Sequence, residues 1–122
     1  MDNSEKKAFL LLKAVILHFH GADNDDNKVL LETASQLDAQ SELEWVETFI
    51  SDDYLTCFER ATDYLNDFMP SISPEKRVDY LYKVWLAQEK QSYVSEMVAN
   101  AMLNMARDWQ IIMQFVPLIK NK

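Results

Sequence analysis

The chain of 122 residues contains a single glycine, Gly21. Glycine adopts positive φ at low cost, and tight β-hairpin turns and phosphate-binding loops both depend on that freedom. One glycine cannot supply a G-x-G-x-x-G or a G-x-x-x-x-G-K-[ST] loop. The sequence therefore argues against all-β folds and against the nucleotide-binding folds that carry such loops.

Apolar residues recur at steps of three and four along almost the whole chain, and this period predicts an all-α fold. No stretch rich in Gly, Pro or Ser separates two parts of the chain, and its length suits one domain of roughly 100–150 residues. We therefore predict a single-domain multihelical bundle over residues 1–122. It should contain about six helices, with two long helices, the first and the fifth, at its centre.

Polar residues mark where the predicted helices begin. Ser4 is expected to cap the first helix, and Ser41 with Glu44 forms a capping box for the third. Ser73 followed by Pro74 is typical of the start of a helix, here the fifth, because proline at the first helical position loses no internal hydrogen bond.

The last helix is predicted to be long. Ser92 is expected to cap it, and its apolar stripe runs from about residue 93 to residue 116. Pro117 should end this helix, because proline cannot donate a backbone hydrogen bond. A break at Asp108 is the alternative.

A faint repeat appears when the sequence is shifted by 69 residues. The shift places Ser4 on Ser73 and Leu12 on Leu81. Chance matching of helical periods is one explanation of this agreement. The other is a duplicated α-hairpin packed around the two central helices.

The charge and the cysteine content narrow the classes of partner. Twenty acidic and twelve basic side chains give a net charge of −8, which opposes binding to nucleic acid or anionic lipid. The apolar run 8–17 is interrupted by Lys13 and is too short to span a bilayer, so neither a signal peptide nor a transmembrane segment is expected. The lone Cys57 excludes an intrachain disulfide and fits the cytoplasm.

The densest polar feature is the segment 23–27, which carries three carboxylates and two amides between the first two helices. Such oxygen ligands suit Ca²⁺ or another divalent cation, although Lys28 and Ala34 stand where an EF-hand needs Gly and Glu. Alternatively, the acids favour the start of the second helix by about 0.3–1 kcal/mol each. The candidate metal ligands are Asp23, Asp25, Asp26, Asn27 and Glu32.

The sequence assigns no catalytic or cofactor-binding residue. His18 and His20 are two positions apart, so on a regular helix their rings point about 200° apart and cannot chelate one metal. Cys57 lies in an apolar stripe, which favours an inert thiol. Glu59 and Asp63 form an i, i+4 carboxylate pair, but such a pair is usually a solvated helix face. We therefore predict that the protein is not an enzyme.

Four of the six methionines fall in the predicted last helix. Methionine fills irregular core gaps and also lines adaptable binding grooves. Core filling is the favoured interpretation, and a partner groove is the alternative. The residues concerned are Met97, Met102, Met105 and Met113.

Two segments resemble the TerB-like family of tellurite-resistance-associated domains. The segment 13–23, Lys-Ala-Val-Ile-Leu-His-Phe-His-Gly-Ala-Asp, is similar to the family's apolar helix and acidic turn, and the segments 73–77 and 85–87 are similar to its second repeat. The chain differs in having Asn24 in place of the usual glycine and in lacking an acidic motif at 88–92. The resemblance implies a duplicated all-helical fold, an acidic centre able to bind a metal, and a role in assembling stress-response complexes at the cytoplasmic face of the membrane.

Two functions from different classes are consistent with these patterns. The first is a non-enzymatic TerB-like domain for protein–protein interaction, modulated by a divalent cation at the acidic turn and associated with membranes only through its partners. The second is a small acidic inhibitor, such as an immunity protein or antitoxin, that blocks a basic partner through electrostatic steering. Apolar helix faces could serve a core or a dimer seam, so the sequence leaves the oligomeric state open.

Overall fold

A computed structural model of the chain describes residues 1–19, 24–91 and 93–120. In these ranges the chain forms seven α-helices and two short 3-10 turns, Tyr54–Thr56 and Met69–Ser71, and no β-strand. The all-α prediction is confirmed, with one helix more than expected. The helices are α1 (Asn3–Leu17), α2 (Asn24–Leu37), α3 (Gln40–Asp52), α4 (Cys57–Phe68), α5 (Pro74–Gln91), α6 (Glu96–Asp108) and α7 (Ile112–Lys120).

The chain divides into two compact units, Met1–Asp63 and Tyr64–Lys122, and the boundary falls within α4. We call them unit 1 and unit 2. In unit 1, each of the helices α1, α2 and α3 contacts the other two, and in unit 2 the same is true of α5, α6 and α7. The expectation of a single domain over residues 1–122 stays a prediction.

The helix α1 is buried around most of its circumference. Every residue in 8–12 and 14–17 is buried, and Leu10, Leu11 and Ile16 are inaccessible to solvent. This is the burial expected of a helix that is apolar all round. In contrast, α5 buries a single face that includes Leu81 and Val84, so the two long helices differ in how their surfaces are used.

The observed helix caps agree in part with the predicted ones. The Ser73 hydroxyl accepts a hydrogen bond from the Lys76 amide at 3.3 Å, which confirms the predicted start of α5. At α1 the cap is Asp2, whose carboxylate accepts from the Glu5 amide at 2.8 Å, so Ser4 lies inside the helix. An aspartate carboxylate serves this position as well as a serine hydroxyl.

The turn between α2 and α3 explains why the predicted capping box at Ser41 does not form. Asp38 has φ of 52°, and the Ala39 amide donates to the Ala34 carbonyl at 2.8 Å. This is a Schellman C-cap, which closes α2 and reverses the chain within two residues. Ala39 then becomes the N-cap of α3 without a side-chain hydrogen bond, and Ser41 falls within the first turn.

A second turn of the same kind divides the predicted long last helix into α6 and α7. Gln110 has φ of 60°, and the Ile111 amide donates to the Ala106 carbonyl at 2.8 Å. α6 therefore ends at Asp108, as the alternative interpretation of the sequence expected. The side chain of Ser95 caps α6 by accepting from the Val98 amide at 3.2 Å; the predicted cap, Ser92, is outside the described residues.

Pro117 lies inside α7 and does not end it. Proline removes one backbone hydrogen bond and crowds the preceding turn. In α7 this happens three residues before the helix ends at Lys120. Only the final turn depends on the residues after Pro117, so the helix tolerates it.

The two Schellman turns show the repeat more clearly than the sequence does. Asp38 and Gln110 are 72 residues apart, and the same spacing carries Asn24 onto Glu96 and Gln40 onto Ile112, the first residues of four helices. The predicted spacing of 69 residues is therefore wrong for these elements. The repeated part is a helix–turn–helix corner following a long helix, and its duplication from a common ancestor stays a prediction.

Candidate functional site

The net negative charge of the protein belongs to unit 1. Unit 1 has fourteen acidic and five basic side chains, a net charge of −9, whereas unit 2 has six acidic and seven basic side chains, a net charge of +1. Such asymmetry creates a directed field that attracts cationic surfaces to one part of the molecule. The candidate site is therefore sought in unit 1.

Within unit 1, carboxylates are concentrated between residues 40 and 63. This segment has seven acidic side chains and one basic side chain, Arg60. Only Glu42 among the seven is buried. The exposed carboxylates are Glu44, Glu47, Asp52, Asp53, Glu59 and Asp63.

Arg60 is held by neutral groups at the end of α3. Its Nη1 donates to the Phe49 carbonyl at 2.9 Å, its Nη2 donates to the Asp53 carbonyl at 2.7 Å, and its Nε donates to the Thr56 hydroxyl at 3.0 Å. The last carbonyls of an α-helix have no partner within the helix, and a cation there also complements the helix dipole. The guanidinium therefore stabilises the C-terminus of α3, and the nearby carboxylates stay exposed.

Other basic side chains of unit 1 also contact neutral groups. The Lys6 ammonium donates to the Asp38 carbonyl at 3.3 Å, and the Lys7 ammonium lies 5.2 Å from the centroid of the Trp45 ring. These contacts link α1 to the end of α2 and to α3. They use positive charge for packing within unit 1, which leaves the acidic surface with little compensation.

Three large apolar side chains are exposed on unit 1 beside these carboxylates or facing the same groove. Leu55 is 94% exposed, Leu31 is 59% exposed and Tyr54 is 49% exposed. Tyr54 and Leu55 belong to the 3-10 turn that directly follows Asp52 and Asp53. An aromatic residue within a rim of charged groups is typical of protein interfaces.

Two open clefts of unit 1 adjoin Tyr54. The first has a volume of about 430 Å³ and is lined by residues of α1, α2 and α3, including Leu30, Leu31 and Glu47. The second has a volume of about 400 Å³ and includes Leu55 and Glu59 in its lining. His18, Ile50 and Tyr54 line both clefts, and we call the combined feature the Tyr54 groove.

The sequence interpretation missed Tyr54 as a surface residue. Its position in the apolar stripe of the fourth helix predicts burial at residue 54, but α4 begins three residues later at Cys57. The two preceding aspartates, Asp52 and Asp53, and the adjacent Leu55, which is off the stripe, were the signals that the stripe does not extend this far.

The predicted metal ligands are only partly within the described residues. Asp23 lies outside them, and Asp25 and Asp26 belong to the first turn of α2. Asn27 and Glu32 are exposed. Among the described residues no group of three or more His, Cys, Asp or Glu side chains could hold a metal ion, and the five-residue site stays a prediction.

The other candidate side chains occupy separate positions. His18 is the C-cap of α1 and lines both clefts, while His20 is outside the described residues. Cys57 is half-buried in the lining of the second cleft, and burial raises the pKa of its thiol although Arg60 lowers it. Glu59 and Asp63 are exposed, as expected of a solvated face.

The methionines serve both of the roles that the sequence left open. Met102 and Met105 are buried on α6, which agrees with core filling. Met97 and Met113 are exposed on unit 2. The structure thus divides this set between the core and the surface.

Compared with known proteins, the chain matches no protein-family model, no curated protein and no solved structure. No helix in the described ranges is long and apolar enough to cross a membrane. The functional argument therefore depends on the surface of unit 1 itself.

Proposed function

We propose that this protein is a non-enzymatic binding protein that captures and blocks a basic protein partner through unit 1. This is the function of a small acidic inhibitor such as an immunity protein or an antitoxin. The observation that carries the proposal is the combination of a net charge of −9 on unit 1 with exposed Tyr54 and Leu55 beside exposed carboxylates. The lone Cys57 suits a reducing compartment, and we place this activity in the cytoplasm.

The arrangement divides the work of binding between two kinds of group. Exposed carboxylates such as Asp52, Asp53 and Glu59 accelerate the encounter with a cationic surface and disfavour acidic partners. Apolar anchors such as Tyr54 and Leu55 contribute affinity once water is excluded from them. A protein built in this way blocks its partner by occupying a surface, and it needs no catalytic group.

The proposal is tested by affinity capture with two variants that remove equal negative charge. In the first, Glu47, Asp52, Asp53 and Glu59 are changed to their amides. In the matched control, the same is done to four exposed acids of unit 2, namely Asp67, Glu75, Asp79 and Glu89. Immobilised protein is exposed to the soluble extract of its own host, and bound proteins are eluted with a salt gradient.

A basic protein that is retained by the native chain and by the unit 2 variant, but lost by the unit 1 variant, supports the proposal. Elution at moderate salt is expected, because exposed charges are screened within about 8–10 Å at physiological ionic strength. Equal retention by both variants, or retention of no basic protein, would contradict it.

The TerB-like assembly role is the second candidate. The repeated helix–turn–helix corner, with its 72-residue spacing, is in keeping with the duplicated fold that the resemblance implies. This role differs from the first in requiring a divalent cation at Asp23, Asp25, Asp26, Asn27 and Glu32. A partner that binds only in the presence of such a cation would favour it.

A further inference from the structure

We infer that the Tyr54 groove receives a basic amphipathic helix of the partner protein, whose apolar side chains enter the two clefts while its lysines and arginines meet the surrounding carboxylates. The inference deepens the proposed function and rests on it. It adds the kind of secondary structure that is recognised and the residues that recognise it.

The first step is the apolar character of the groove. The clefts share Ile50 and Tyr54, so one occupant can fill both. Their volumes of about 430 and 400 Å³ fall in the range of roughly 300–1,000 Å³ in which proteins bury sizeable ligands. Leu31 borders the first cleft and Leu55 the second, and both are mostly exposed. Apolar surface of this kind is stabilised when a partner covers it.

The second step is the charge of the rim. Glu47 lines the first cleft and Glu59 lines the second, while Asp52 and Asp53 immediately precede Tyr54. Within the described part of the chain neither cleft is lined by a lysine or an arginine. Charge complementarity therefore selects a cationic occupant, and it disfavours a second copy of unit 1, which has the same negative charge.

The third step is the shape of the occupant. Helices dock in apolar grooves through anchors spaced at i, i+3, i+4 and i+7, which are one or two turns apart on one face. Two clefts on either side of Tyr54 suit two such anchors. The opposite face of the helix would carry the cationic side chains and extend them toward the rim.

The test uses the full-length protein and a fluorescent peptide of about 18 residues, roughly five helical turns. The peptide contains only leucine and lysine, with the leucines at helical spacing. A second peptide has the same composition in scrambled order, so the charge is equal and the apolar face is lost. Binding is measured by fluorescence anisotropy at physiological salt.

We expect the patterned peptide to bind at least about tenfold more tightly than the scrambled one. Leu31→Ser and Leu55→Ser are each expected to weaken its binding by about tenfold, the loss typical of an apolar anchor at an interface. Met113→Ser is the matched control, because Met113 is 81% exposed on unit 2. This control should leave the affinity unchanged. Leu31 and Leu55 are exposed enough for both variants to fold.

Cys57 supplies an independent measurement of the same groove. Its side chain belongs to the lining of the second cleft, so the bound peptide should slow its reaction with a thiol reagent, and the scrambled peptide should not. Equal binding of both peptides, or affinity unchanged by Leu31→Ser and Leu55→Ser, would overturn the inference. A self-association that Leu31→Ser abolishes would identify a second copy as the occupant and would also overturn it.

The outcomes separate this inference from the proposed function. If the charge variant of unit 1 loses a basic partner but the peptides do not distinguish the leucine variants, the function stands and the groove is not its anchor. If the patterned peptide binds as expected but no basic partner depends on the unit 1 carboxylates, the groove recognises helices and the inhibitor function is wrong.

Discussion

Arg60 and Phe49 are joined in two ways: the guanidinium donates to the Phe49 carbonyl at 2.9 Å and lies 4.8 Å from the centroid of the Phe49 ring. The same side chain donates to the Asp53 carbonyl at 2.7 Å. One residue of α4 therefore fixes the end of α3 and the chain that leads into the 3-10 turn at Tyr54. The position of the candidate binding surface depends on this cap.

Replacing Arg60 with methionine is expected to lower the free energy of unfolding by about 1–3 kcal/mol, because partly buried carbonyls lose charged donors. Methionine keeps much of the aliphatic stem, so the loss reports on the guanidinium. Lys28→Met is the control, since Lys28 is exposed in the same unit and the charge change is identical. Urea unfolding measures both. A loss no larger than that of the control would contradict the capping role.

The two Schellman turns predict opposite effects of glycine at neighbouring positions. Gln110 has φ of 60° without being glycine or asparagine, a conformation that costs an ordinary residue about 1 kcal/mol. Gln110→Gly is therefore expected to raise the free energy of unfolding by about 0.5–1 kcal/mol. Asp38→Gly should gain less, because aspartate tolerates this region better.

The control for the turn is Gln114→Gly, an exposed position inside α7. Glycine within a helix loses about 1 kcal/mol relative to a good helix former. Thermal unfolding should therefore show a higher Tm for Gln110→Gly and a lower Tm for Gln114→Gly. A lower Tm for both would show that the positive φ at Gln110 is not strained.

Much of the fold follows from local patterns. The period of apolar residues is enough to predict α1 and α5, and the Ser73-Pro74 start of α5 is read directly from the sequence. The Schellman turns could not be predicted in this way, because Asp38 and Gln110 adopt positive φ without the glycine that normally signals it. The last predicted helix was therefore too long.

The candidate surface was harder to predict than the helices. A helical stripe indicates which residues share a face, but it does not indicate where the helix begins. Tyr54 shares the stripe of α4 and yet precedes it, because Arg60 holds the preceding segment through backbone carbonyls. Such a contact depends on tertiary structure. The charge asymmetry was present in the sequence, but it became informative only once the boundary at Asp63 was known.

Gln88 is a buried side chain of α5 with an incomplete hydrogen-bond inventory. Its Oε1 has no hydrogen-bond partner in the described structure, and the same is true of the Trp85 Nε1. A buried polar atom without a partner destabilises the native state by about 1–3 kcal/mol. Gln88→Leu is therefore expected to raise the free energy of unfolding by about 1 kcal/mol. The exposed Gln36→Leu should produce no gain, and a loss at Gln88 would show that its amide is hydrogen-bonded in solution.

The acidic start of α2 distinguishes helix stabilisation from metal binding. Asp25 and Asp26 belong to its first turn, where each carboxylate stabilises the helix by about 0.3–1 kcal/mol through the dipole. The double variant Asp25→Asn/Asp26→Asn is therefore expected to lower the Tm equally in a chelator and in millimolar Ca²⁺, Mg²⁺ or Zn²⁺. A cation that raises the Tm of the native protein alone would instead establish the predicted metal site by linkage.

The Cys57 thiol predicts a pH dependence with a definite sign. Burial raises its pKa above that of a free cysteine, and the opposing effect of Arg60 is smaller. The reaction with a thiol reagent should therefore reach half its maximal rate at a higher pH in the native protein than in urea, since the thiolate is the reactive form. Above the pKa of the unfolded thiol, the unfolded chain binds fewer protons than the folded one, so the free energy of unfolding falls as pH rises through this range. Cys57→Ser should lose this part of the pH dependence. A native midpoint at or below that in urea would mean that the Arg60 guanidinium dominates over burial at this position.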